Sequence, residues 1–234
     1  MRIGVIVLSR HDSSRLPGKA MKQINNKPMI DYVLERALLI ENICETILAT
    51  SSRDVDNSII ERAKNFENIS YYRGSIDDVS KRYLMCMEEY DLDAAIRVNG
   101  DSPIHSHNLI NKSVKIYKNK KPDILTNVFP RSYPKGMTVE IISRKAMNYA
   151  YNLMNEKSDK EHVSKYFYDN PEKFEILNIS QMPTNHSNIQ LSVDTSLDFE
   201  RMKWIILKLG DNYREAEYNK IIELYKKYEK KNVT

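Results

Sequence analysis

The stretch Ser9-Arg10-His11-Asp12-Ser13-Ser14-Arg15-Leu16-Pro17-Gly18-Lys19 gathers three cations and several hydroxyls around a turn, directly after the apolar run 3–8. Two arginines offer planar forks and a lysine a point charge, a donor set that holds phosphate oxygens. The carboxyl end of a strand in an open α/β sheet faces the crevice where ligands bind, so this loop points to a nucleotide triphosphate. It is not a Walker A loop, GxxxxGK[ST]. Ser13 stands at the first glycine position and Ala20 where the metal-binding hydroxyl belongs. Such a grip works through side chains more than through a backbone nest. A solvated basic loop is the plainer alternative, and placement after the first strand weighs against it.

Short apolar runs alternate with amphipathic helical patterns, which predicts βαβ units and a parallel sheet. Strands are expected at 3–8, 45–50, 69–72, 94–98, 124–126, 137–142, 174–179 and 189–193. Helices are expected after Pro28, at 55–66, 78–90, 108–117, 144–155 and 160–168, after Thr195, and at 213–231. Residues 1–234 read as one domain with a protruding arm at 129–140, suited to a dimer interface. The charge of +4 is small against 36 basic and 32 acidic residues, so no nucleic-acid partner is implied. Cys44 and Cys86 lie far apart and read as reduced core or helix residues. No apolar run approaches the ~20 residues of a membrane span. The segment 1–8 is too short for a signal peptide, so a soluble cytoplasmic protein is expected.

The opening R-x-x-S-S-R-L-P-G-K, followed by Asn26-Lys27-Pro28-Met29-Ile30, resembles the cytidylyltransferases that make CMP-activated sugars. Tyr72-Arg73-Gly74-Ser75, Asp77-Asp78-Val79 with Arg82-Tyr83, and Arg97-Val98-Asn99-Gly100-Asp101-Ser102-Pro103 resemble the spore coat polysaccharide biosynthesis protein F group. So do Arg131 through Glu140, Glu161-His162-Val163 and Val193-Asp194-Thr195. The likeness runs from Arg2 to about Met202.

That resemblance implies a Rossmann-like three-layer nucleotidyltransferase fold with a mostly parallel sheet. It implies a nucleotide-binding half at about 1–105 and an acceptor-binding and dimerisation half at about 106–234. CTP and a small-molecule acceptor are the implied partners, in a homodimer. The implied reaction is transfer of the cytidylyl group, with Arg15, Lys19 and Asp101 as the expected catalytic set. Mg²⁺ is the implied cofactor, held by Asp101 and Asp194. Arg10, Ser14, Arg15 and Lys19 are expected on the triphosphate. Leu8, Ala49, Thr50, Ser51 and Arg73 are expected in the cytosine and ribose wall, and Arg131, Glu140 and His162 on the acceptor.

Each assignment has a structural competitor. Asp101 could make a turn before Pro103, Asp194 could cap a helix at Thr195, and Arg73 could pair with Asp78. Asp12 stands where relatives carry a small residue and could clamp Arg10 or help hold metal. Asn99-Gly100-Asp101-Ser102 departs from the Gln-Gly-Asp-Glu form of the CMP-KDO synthetases, which counts against KDO as the acceptor. Two further readings stay open. A glycosyltransferase would use a D-x-D pair such as Asp54/Asp56 or Asp91/Asp93, although capping and turn roles suit both better; a noncatalytic nucleotide-binding protein would have lost Lys19 or Asp101.

Overall fold

Strand β1 (Ile3–Leu8) is apolar throughout and buried throughout, as a strand covered on both faces must be. Its alternation divides two cores. Val5 and Val7 face one helical layer, while Ile6 and Leu8 face the other. The computed structural model describes residues 1–13, 15–180 and 184–232.

A small hairpin, β2 (Gln23–Ile24) and β3 (Lys27–Pro28), leads into α1 (Met29–Ala37). There follow β4 (Glu45–Ser51), α2 (Asn57–Lys64), β5 (Ser70–Gly74), α3 (Val79–Glu89), β6 (Ala94–Asn99) and α4 (His107–Lys120). The second half contains β7 (Ile124–Thr126), β8 (Glu140–Ser143), α5 (Arg144–Leu153), α6 (Lys157–Glu161), α7 (Lys165–Asp169) and β9 (Ile176–Asn178). Helices α8 (Ser196–Leu209) and α9 (Tyr218–Asn232) close the chain.

Among the described residues, seven strands form one sheet in the order β5-β4-β1-β6-β8-β7-β9. Only β8 runs against its neighbours. Helices α1, α2 and α4 pack on the face of Val5 and Val7, and α3, α5 and α7 on the face of Ile6 and Leu8. The fold is therefore a three-layer α/β arrangement around a mostly parallel sheet. A third apolar cluster joins α8 and α9 to Ile24, Met29 and Tyr32. Arg36 of α1 is 1% exposed, and its guanidinium donates to the carbonyls of His105, Tyr213, Arg214 and Ala216, tying the C-terminal region to the body.

Several expected elements change in the fold. The helix expected at 160–168 breaks at His162, whose extended backbone (φ −115°, ψ 92°) ends α6 and lets Val163 enter the core. Residues 189–193 form no strand; a single bridge pairs Gln190 with Lys135. The segment 129–140, expected as an arm, keeps Phe129, Pro130 and Lys135 exposed but is tied to the body. Its backbone is laced to 186–191 through Ser132 and Lys135, and Ser132, Met137 and Val139 are buried. Cys86 is buried in α3, whereas Cys44 is exposed ahead of β4. Among the described residues, no helix is long and apolar enough to cross a membrane.

Candidate active site

A cleft of about 680 Å³ opens above the carboxyl ends of β1 and β6. Gly100 brings those ends together. Its N–H donates to Leu8 O at 2.8 Å, and a Cβ there would lie 2.6 Å from Ser9 Cβ. Asp101 follows at once. Its backbone carbonyl accepts the N–H of Val193 at 2.8 Å, which delivers Asp194 to the same place from 93 residues farther along the chain. This one backbone bond, rather than a strand end, positions Asp194.

Lys19 Nζ lies 2.9 Å from Asp101 Oδ2, 3.3 Å from Asp194 Oδ1 and 2.7 Å from Val193 O. Arg15 Nη2 adds a contact of 3.1 Å to the same Asp194 oxygen. Asp194 does not cap α8; Thr195 does, in a reciprocal box with Asp198. Arg10 also lines the cleft and points to Glu161 at 3.7 Å. Asp12 pairs with Arg53 rather than with Arg10. Ser14 falls outside the described residues.

The opposite wall comes from β6 and the 161–169 segment, through Arg97, Asn99, His162, Ser164, Lys165 and Tyr168. Glu140, expected to touch acceptor, stands behind this wall. It is 1% exposed, pairs with the Arg97 guanidinium and accepts the Tyr168 hydroxyl at 2.6 Å. Burial alone would push its carboxyl up. The Arg97 charge and hydrogen bonds from Tyr168, Ser164 and Arg97 hold it below the usual value instead. Burial likewise opposes the Arg97 charge, and Glu140 outweighs it. The Tyr168 hydroxyl is raised by burial and then by the Glu140 charge, so it stays a donor.

The expected nucleobase wall is not at the cleft. Leu8 lines it, but Ala49, Thr50 and Ser51 are wholly buried. Arg73 turns away from Asp78 and from the cleft, donating to Ser51 O, Arg53 O and Asn57 Oδ1. Arg131 is half-buried against Pro134 O and the Thr138 hydroxyl, off the cleft. Neither D-x-D pair lines the cleft: Asp56 is wholly buried and Asp93 accepts the Arg2 N–H.

The sequence reading assigned no site role to Arg82, Arg97 or Tyr168. Arg97 carried a signal, a charge inside the otherwise apolar run 94–98. Arg82 lies in the first turns of α3 and lines the cleft at 2% exposure. One Nη1–H donates to Ser75 O at 2.8 Å, and its Nε has no partner in the structure. Burial and then the neighbouring Arg10 charge bring its pKa down to about 10, so it remains a cation at neutral pH.

Asp101 and Asp194 supply hard oxygen donors that converge on one ammonium, and each carboxylate is about one quarter exposed. Among the described residues no group of three or more His, Cys, Asp or Glu could hold a metal ion. Two carboxylates nevertheless fit a hard divalent cation whose other ligands are phosphate oxygens and water.

A family model described as cytidylyltransferase matches residues 4–233. The chain is 28% identical over 201 residues to an uncharacterized protein of Methanocaldococcus jannaschii, covering 86% of this chain and 81% of that protein. It is 23% identical over 213 residues to the spore coat polysaccharide biosynthesis protein SpsF of Bacillus subtilis, covering 88% and 87%. A solved cytidylyltransferase of Leptospira borgpetersenii matches with TM-score 0.91 at 27% identity, covering 98% of this chain and 96% of that one. The CMP:2-keto-3-deoxy-manno-octonic acid synthetase complexed with CTP matches in fold, with TM-score 0.67 at 17% identity and coverage of 89% and 99%.

Proposed function

Because the chain belongs to the cytidylyltransferase family and is thus a nucleotidyltransferase, we propose that it uses CTP to activate a sugar acid or small phosphorylated metabolite for cell-surface polysaccharide biosynthesis. An acceptor oxygen attacks the α-phosphorus of CTP, the bond to the β-phosphate breaks, and pyrophosphate leaves. The observation that carries this reading is the convergence of Lys19, Asp101 and Asp194 at the joined ends of β1 and β6.

Phosphoryl chemistry of this kind depends on positioning and charge stabilisation more than on covalent help. Lys19, Arg15 and Arg10 face the triphosphate and stabilise the charge that grows on departing pyrophosphate. Asp101 and Asp194 would hold Mg²⁺, which polarises phosphoryl oxygens and neutralises their charge. Arg97, Tyr168 and His162 form the acceptor wall, with Glu140 fixing the first two. The nucleotide-binding half ends near residue 105, and the acceptor half follows. The enzyme works in the cytoplasm as a homodimer, a state that light scattering would test.

The glycosyltransferase alternative would use a D-x-D pair for its metal, and neither Asp54/Asp56 nor Asp91/Asp93 lines the cleft. The deciding experiment offers each of the four NTPs with a panel of ulosonic acids, sugars and sugar phosphates, and follows pyrophosphate. Release with CTP and one acceptor class is expected. Equal turnover with ATP or GTP, or no release with any pair, would overturn the reading.

A further inference from the structure

Asp56 is wholly buried, stands outside the cleft and has no role in the metal or phosphate chemistry above. Its Oδ1 accepts the backbone N–H of His11 at 2.6 Å, and its Oδ2 accepts the Ser51 hydroxyl. The same His11 closes the phosphate loop, because its carbonyl accepts the N–H of Gly18 at 3.1 Å. Gly18 makes that closure in the left-handed region (φ 67°), with the His11 ring 3.5 Å from where a Cβ would stand. Arg10 and Lys19 flank the closure on either side. Hence the carboxylate grips a residue that adjoins Arg10 in the chain and bonds through its backbone to the residue before Lys19.

A second contact holds the loop from the same turn. Arg53 pairs with Asp12 inside the loop, lies 3.7 Å from Asp56, and directs its Nε to the Ser51 hydroxyl. The turn itself is braced from β5, where Arg73 donates to Ser51 O and Arg53 O. The exit of β4 is therefore a clamp for the loop after β1.

We propose that Asp56 is a positioning residue of the transfer reaction, whose carboxylate pins the His11–Gly18 closure and so sets Arg10 and Lys19 against the triphosphate. It touches no substrate. Its kinetic consequence rests on the nucleotidyl-transfer reading, whereas the anchor itself does not.

Two measurements test this. The first needs no variant: site-resolved amide exchange of the protein alone. The His11 amide should exchange at least about tenfold more slowly than the amides of Asp12 and Ser13, because its hydrogen bond to the buried Asp56 must open first. A His11 amide that exchanges like its neighbours overturns the anchor. The second compares Asp56→Ala with Asp56→Asn, whose amide oxygen still accepts the His11 N–H. The Ala variant should lose about 10²-fold in kcat, the scale of a misplacement near 1 Å, with the acceptor KM unchanged. Its His11 amide should lose protection while the β1 amides keep theirs. The Asn variant should recover most of the rate. A folded Ala variant with wild-type kcat, or one that loses kcat while His11 stays protected, overturns the positioning role. Absence of pyrophosphate release from the wild-type protein sinks the functional reading instead, and leaves the exchange result to judge the anchor.

Discussion

Lys19 Nζ sits 2.9 Å from Asp101 Oδ2, across 82 residues of sequence, and the same ammonium reaches Asp194 at 3.3 Å. Three charged groups from three separate segments thus share one point. Groups that act as a unit lose nearly the whole function when any one is removed. Asp101→Asn and Asp194→Asn should each lower kcat by about 10²- to 10³-fold, on the scale of removing a preorganised charge partner. The double variant should be little worse than the worse single one. Steady-state kinetics on all three checks this, and multiplicative losses would mean that the carboxylates act separately.

Glu140 is the counter-ion of Arg97, and its loss leaves a largely buried guanidinium unpaired. Breaking a buried pair from one side costs about 3–5 kcal/mol. Glu140→Gln should therefore lower the urea midpoint clearly. With Arg97 and Tyr168 assigned to the acceptor wall in the proposed function, the variant should also raise the acceptor KM while the KM for CTP holds. An equal rise in both constants would detach Glu140 from the acceptor side.

Under the proposed use of CTP, Arg82 is the cleft residue assigned to base reading, because Ala49, Thr50, Ser51 and Arg73 do not line the cleft. It lines the cleft beside Leu8 and Val79, with one Nη1–H committed to Ser75 O. Cytosine presents adjacent acceptors at O2 and N3, which suit the remaining donors of an arginine fork, whereas uracil carries a proton at N3. A bidentate contact of this kind discriminates by ~1–3 kcal/mol. Arg82→Met should shrink the preference for CTP over UTP by roughly tenfold or more on that scale. Equal losses with both nucleotides would move Arg82 to the phosphates.

Much of this was legible locally. Six apolar residues before a cationic loop are enough to place β1 and that loop at the cleft, and the motif around Asp101 places a carboxylate just past the end of β6. What escaped depends on contacts between distant segments. The end of β4 looked like an open base wall, yet the turn 53–56 and Arg73 fold over it and leave Ser51 wholly buried. Tyr168 reaches the cleft because α6 and α7 are separate helices, and the break at His162 has no Gly or Pro to announce it. Glu140 was found by motif and misplaced by role, because pairing between β6 and the antiparallel β8 sets it against Arg97.

His105 and His107 lie beside the buried Arg36 at the start of α4, at 2% and 8% exposure. Burial first, and the Arg36 charge second, bring their pKa values down to about 3 and about 4. Both are therefore neutral in the folded protein, and His105 Nε2 and His107 Nδ1 have no partner that would favour a proton. The sign of the linkage follows. Above the ordinary histidine value of about 6.5 both states are neutral and the pair contributes no pH dependence. Below it the unfolded chain takes up protons that the folded protein refuses, so stability falls with acidity until the folded values are reached. The slope approaches about 1.4 kcal/mol per pH unit for each histidine inside that window. Urea unfolding at pH 7, 6 and 5 should show the wild-type midpoint dropping, and the His105→Gln/His107→Gln protein should drop much less over the same range. A wild-type midpoint that holds steady down to pH 5 would mean that both histidines take up their protons in the folded protein as readily as in the unfolded chain.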